Sequence, residues 1–171
     1  MSIKQFNGEW VCQQDRVLFR FNTNEDQEYS FWLTRYVLKG LLEGVQQLTA
    51  QALAQVHPPQ VAQVMQSFQL EAVAQQLNFH ETFQAAKEKP MGETPLLVTG
   101  LMLNQTGDVV TLKFDLESGQ SLQVQMNPSV LQVMLALLDK LQAAAQWGVG
   151  LAAADDAGLS AAPPSAPPLV H

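Results

Sequence analysis

At 171 residues, with 47% hydrophobic and 15% charged residues, the chain can bury one sizeable core and is short for two independent ones. A net charge of −7 at pH 7 argues against general affinity for phosphate backbones or anionic lipid, which needs a basic field, overall or in a local patch. A single cysteine, Cys12, excludes an intramolecular disulfide, no run of about 18 apolar residues marks a membrane span, and the first residues lack the apolar core of a signal peptide, so the expected compartment is the cytoplasm.

In chain order, Ile3 to Gln14 reads as a strand that turns at Gln14-Asp15. In Arg16 to Asn22, Val17, Phe19 and Phe21 point one way and Arg16, Leu18 and Arg20 the other, the period of a half-buried strand. The polar run Thr23 to Gln27 is a hairpin loop, and Glu28 to Leu33 is the third strand. Thr34 stands where an N-cap belongs, ahead of a helix from Arg35 to about Gln55 that ends at His57-Pro58-Pro59. Gln60 to about Asn78 predicts a second helix, with Val61, Val64, Met65, Phe68, Ala72, Val73 and Leu77 along one side. The connector from Phe79 to Pro95 reads as an exposed loop.

Three further strands follow, Leu96 to Gln105, Val109 to Glu117 and Leu122 to Met126, with turns at Thr106-Gly107-Asp108 and Ser118-Gly119-Gln120. Asn127-Pro128 is a cap followed by a first-turn proline, and its helix runs to about Trp147, ended by Gly148 and Gly150. Residues 150–171 are Ala, Pro, Gly and Ser with few large apolar side chains, so the tail is expected to be disordered.

The two halves share one apolar pattern at an offset of 93 positions, without a gap. Val17, Phe19 and Phe21 answer to Val110, Leu112 and Phe114; Tyr29, Phe31 and Leu33 to Leu122, Val124 and Met126; Leu38, Leu41 and Leu42 to Leu131, Met134 and Leu135. A one-residue slip would turn a strand's apolar set toward water, so shared spacing through two strands and a helix implies a shared unit. The expected fold is therefore α+β: an internally duplicated βββα unit, an antiparallel meander plus a helix, twice. Repeat 1 spans about 3–55, an inserted helix and linker 56–94, and repeat 2 about 95–149, all in one domain of 1–149 ahead of the tail.

Catalytic motifs are lacking. His57, His80 and His171 have no second metal ligand at a productive spacing, Cys12 has no histidine in its own segment, and no Gly-x-Ser-x-Gly or phosphate-binding glycine loop occurs. Glu25 with Asp26 and Asp155 with Asp156 fall in a loop and the tail, where solvated charge is expected. Neither an enzyme nor a cofactor is expected.

Binding is the remaining function class. Arg16, Arg20, Trp32 and Lys113 fall on the sheet face opposite the apolar one, and Arg35 and Tyr36 follow Trp32 closely. Trp, Tyr and Arg dominate binding hot spots, so this face is the candidate surface for a protein partner, as in an adaptor, assembly factor or chaperone-like protein. The alternative is single-stranded nucleic acid, with bases on the aromatics; the repeated plan is similar to that of single-strand-binding proteins of the Pur and Whirly kind, although those carry four strands per helix where three are counted here. The last helix adds Val133 and Leu137 to its core stripe, so it needs a second neighbour, either the inserted helix or the other subunit of a homodimer. Glutamine-rich faces (Gln46, Gln47, Gln51 and Gln55; Gln60, Gln63, Gln66 and Gln69) suit good neutral helix formers.

Overall fold

The computed structural model describes residues 2–54, 82–107 and 109–149. Among them it is a mixed α+β fold, a six-stranded sheet with two helices. In chain order these are β1 (Ile3–Val11), β2 (Arg16–Thr23), β3 (Glu28–Thr34), α1 (Arg35–Ala54), β4 (Leu96–Thr106), β5 (Val109–Leu116), β6 (Ser121–Met126) and α2 (Pro128–Ala144). The inserted helix expected from Gln60 to Asn78 and the tail, 150–171, lie outside the described residues.

The sheet keeps sequence order, β1-β2-β3-β4-β5-β6. Each meander is antiparallel, and the two meet where β3 and β4 run parallel for only two residue pairs, Phe31 with Leu96 and Trp32 with Leu97. Period-2 alternation sends Val17, Phe19, Phe21, Tyr29, Phe31 and Leu33 inward, together with Val110, Leu112, Phe114, Leu122, Val124 and Met126. Phe31 of β3 stacks on Phe114 of β5 at 5.3 Å although β4 lies between their strands, so the inner face is concave at the seam.

Registers correspond across the two halves. Val17–Leu33, Phe19–Phe31 and Phe21–Tyr29 match Val110–Met126, Leu112–Val124 and Phe114–Leu122 at the offset of 93. The first strands match at 95, down to a bulge between Ile3 and Gln5 and another between Val98 and Gly100. The extra two positions sit in the β1–β2 connection, where Cys12–Gln14 form a 3₁₀ turn and Asp15 adopts φ 48°. Cys12 is consequently exposed in a turn rather than alternating within a strand. Both helix starts carry the expected caps: the Val37 amide donates to Thr34 Oγ1 at 3.3 Å and the Val130 amide to Asn127 Oδ1 at 2.9 Å.

Each helix covers the first strand of the other meander: α1 lies on β4 and α2 on β1, with α1 and α2 in contact. At about 1.5 Å per residue α2 spans roughly 25 Å, enough to cross a sheet of six strands set about 4.8 Å apart. The side chains that permit these crossings differ in size between the two contacts. A Cβ on Gly44 of α1 would lie 2.8 Å from Leu103 Cδ1 of β4, whereas on the other side Gly8 of β1 makes room for Leu137 and Leu141 of α2. Positions 44 and 137 correspond, as do 8 and 103, so the small and large partners are exchanged.

α2 ends three residues before the expected Trp147. Gln146 turns to φ 55°, its amide donates to Ala143 O, and the Trp147 amide donates to Gln142 O, a Schellman arrangement without glycine at the left-handed position. The reversal delivers Trp147 into the core at 3% exposure, where its indole Nε1 donates to Asp15 Oδ1 at 2.7 Å.

Candidate functional site

The outer face of the first meander follows directly from the register. Arg16, Leu18, Arg20 and Asn22 of β2 oppose Thr34, Trp32, Ser30 and Glu28 of β3 and Val11, Glu9, Asn7 and Gln5 of β1. Arg16 and Arg20 are thus about 13 Å apart along the strand, and the two ends of the face differ.

At the Arg20 end the connector docks instead of looping free. The Asn22 amide Nδ2 donates to Gln84 O at 2.7 Å, Gln5 exchanges bonds with Thr82 O and the Gln84 amide, and the Ala86 amide donates to Glu28 Oε2 at 3.3 Å. Backbone bonds from the Glu28 amide to Glu88 O and from the Glu88 amide to Asp26 O fix its far end. Asn22 and Glu28 are buried beneath it. Arg20 donates twice to Asn7 Oδ1, and its guanidinium lies 4.8 Å from the centre of the Phe83 ring. That side chain is therefore a structural anchor for residues 82–88, which stay largely exposed, as expected of the connector, but are tied to the sheet. Replacing Asn22 and Glu28 by Ala should speed hydrogen exchange at the amides of Gln84, Ala86 and Glu88 by tenfold or more, each lost bond contributing about 1 kcal/mol, while the amides of β5 and β6 stay protected. Equal acceleration throughout would instead mean that the whole domain had loosened.

At the opposite end the register sets Arg16 beside Thr34, the cap of α1, with Trp32 two residues back and half-buried. Arg35 and Tyr36 begin the helix, both exposed, and Tyr36 reaches 84% exposure. Trp32 pairs with Leu18 on one side and Leu97 on the other, which gives the aromatic an apolar seat. Lys113 stands apart on β5, opposite Met102 and Gln123, and makes a 2.8 Å ion pair with Asp115.

Of the six residues expected at one surface, four (Arg16, Trp32, Arg35 and Tyr36) share an end, Arg20 serves the connector, and Lys113 lies two strands away. Leu137, expected at a subunit contact, is buried in its own chain against β1 at 8% exposure, and Val133 is half-buried on the same helix. Among the described residues α2 contacts β1 and α1, and the inserted helix expected as its neighbour lies outside them.

Among the described residues no group of three or more His, Cys, Asp or Glu could hold a metal ion, and no helix is long and apolar enough to cross a membrane. The Glu25 carboxyl lies below its ordinary range, chiefly through a hydrogen bond from the Thr23 hydroxyl, as suits an ionised loop residue. Comparison with protein-family models, with curated proteins and with solved structures finds no match to this chain.

Proposed function

We propose that the chain is a non-catalytic protein-binding domain of the cytoplasm, acting as an adaptor, assembly factor or chaperone-like protein through Arg16, Trp32, Arg35 and Tyr36. The observation that carries this reading is Tyr36, a large aromatic left 84% exposed at the start of α1, next in sequence to the exposed Arg35 and four residues after the half-buried Trp32. Such amphipathic, stiff side chains gain much area on contact at low entropic cost, which is why they anchor interfaces. Single-stranded nucleic acid is the weaker alternative, because Arg20 is held by Asn7 and Phe83 and Lys113 is paired with Asp115.

In this reading the domain descends from a doubled βββα unit. Shared registers, shared caps, a bulge at the same place in each first strand, and the exchange of Gly44 with Leu103 for Leu137 with Gly8 all support a doubling followed by complementary divergence. Two identical units would oppose Leu with Leu, or Gly with Gly; the exchange makes each unit fit the other better than itself.

A photoreactive side chain at position 36 tests the surface in the source cell, with position 113 as the control. The expected result is a discrete crosslinked partner from 36, absent from 113 and lost when Trp32→Ala is added. Equal labelling from both positions, or none from 36, would remove this surface.

A further inference from the structure

The two edges of the sheet are β1 and β6, and they are guarded very differently. β1 carries Lys4 and Glu9, is bulged between Ile3 and Gln5, and has the Gln5 side chain tied to the connector. These are devices that stop a strand from pairing with a stranger. β6 has none: Ser-Leu-Gln-Val-Gln-Met is regular along its length and contains no charge, proline or glycine.

Which groups it offers follows from the ladder. The Leu116 amide bonds Gln120 O, so the alternation of an antiparallel pair turns the backbone groups of Leu122, Val124 and Met126 toward β5 and those of Ser121, Gln123 and Gln125 outward. Among the described residues no strand flanks β6, so three amides and three carbonyls in a row point away from the sheet.

We propose that this edge is the subunit contact of a homodimer, in which β6 pairs antiparallel with β6 of a second copy about a two-fold axis at Gln123. That register sets Ser121 opposite Gln125 of the second copy on the outer face and Leu122 opposite Val124 on the inner face, and it uses every outward group of the three residues. Its length is self-limiting: Asn127 would come opposite Gly119, whose φ of 80° turns the chain away, and Pro128, next along, has no amide to give.

Local charge does not oppose this occupant. Two copies of net charge −7 repel over most of their surface, yet this strand is neutral, and the nearest charges on its outer face, Lys113 and Asp115, are already paired with each other. Pairing β6 with β1 of the next copy would leave a free β6 and a free β1 at the ends and grow an open polymer; the charges and bulge of β1 oppose it. The two-fold closes, joining two six-stranded sheets into one.

The full chain, sedimented over a wide concentration range, should be a monomer–dimer equilibrium without larger species. Gln123→Pro removes only an outward amide from each copy, so it should weaken association on the order of thirtyfold and leave the far-ultraviolet spectrum unchanged. In a Cys12→Ser background, Gln123→Cys should crosslink to itself on oxidation, because Cα atoms facing each other across the axis fall within disulfide reach, whereas Gln125→Cys should not. If the proline variant fails to fold, the cysteine pair still decides. A chain that stays monomeric, a polymer that lengthens with concentration, or a dimer that crosslinks equally at 125 would each overturn the proposal.

Discussion

Phe114→Ala should lower the unfolding free energy by about 3–5 kcal/mol, a large part of the roughly 5–15 kcal/mol that a domain commands. Phe114 is 1% exposed and its ring lies 5.3 Å from that of Phe31, an interplanar angle of 19°. The two meanders share only two residue pairs of parallel ladder, so the backbone contributes little at their junction and side-chain packing must hold it. Phe31→Ala should cost a similar amount. Because the two rings touch, the double variant should cost less than the sum, by roughly 0.5–1.5 kcal/mol for the stack itself. Denaturant unfolding of the wild type, both single variants and the double variant measures all four corners of the cycle. A loss below about 2 kcal/mol for Phe114→Ala would mean that the seam is held by something other than these rings.

Trp147→Ala should be almost as damaging, again about 3–5 kcal/mol, despite lying beyond the end of the last helix. Its indole is 3% exposed in the common core and ties the end of α2 to Asp15 in the β1–β2 turn, 132 positions away. Two milder variants separate the components. Trp147→Phe keeps most of the apolar burial, while Asp15→Ala removes the acceptor and places alanine at a φ of 48°, so each should cost about 1–2 kcal/mol. Thermal unfolding should therefore rank Trp147→Ala far below the other two, with the latter close together. An Asp15→Ala penalty matching that of Trp147→Ala would show that the polar tie, and not burial, fixes the chain end.

Local order was legible in the sequence, and long-range arrangement was not. The alternation of Val17, Phe19 and Phe21, the caps Thr34 and Asn127, and the helical stripe from Leu38 to Val45 depend on neighbours within a few residues, and each appears where the pattern puts it. That β3 should lie beside β4, or that α2 should reach β1, depends on how curved surfaces meet, which no period encodes. A faint signal existed at Gly8, a missing side chain in an otherwise alternating strand, and it marks the place where α2 crosses. Asn22 and Glu28 at facing strand ends gave a second, for polar groups there can hold a returning chain. The candidate surface was legible in part for the same reason: Trp32, Arg35 and Tyr36 are close in sequence and Arg16 follows from strand pairing. Arg20 and Lys113 share the face but are taken by Phe83 and Asp115, contacts that alternation alone could not foresee.

The crossing helices carry a consequence for the integrity of the molecule. Neither half owns its roof: α1 shelters β4, α2 shelters β1, and Leu137 and Leu103 are lodged in hollows of the opposite unit. Expressed separately, each half would expose the strand that the other should shield and a greasy helix with nowhere to rest. A chain severed between Ala54 and Leu96 would leave two fragments clasped together, because what joins them is mutual cover and not the peptide that links them.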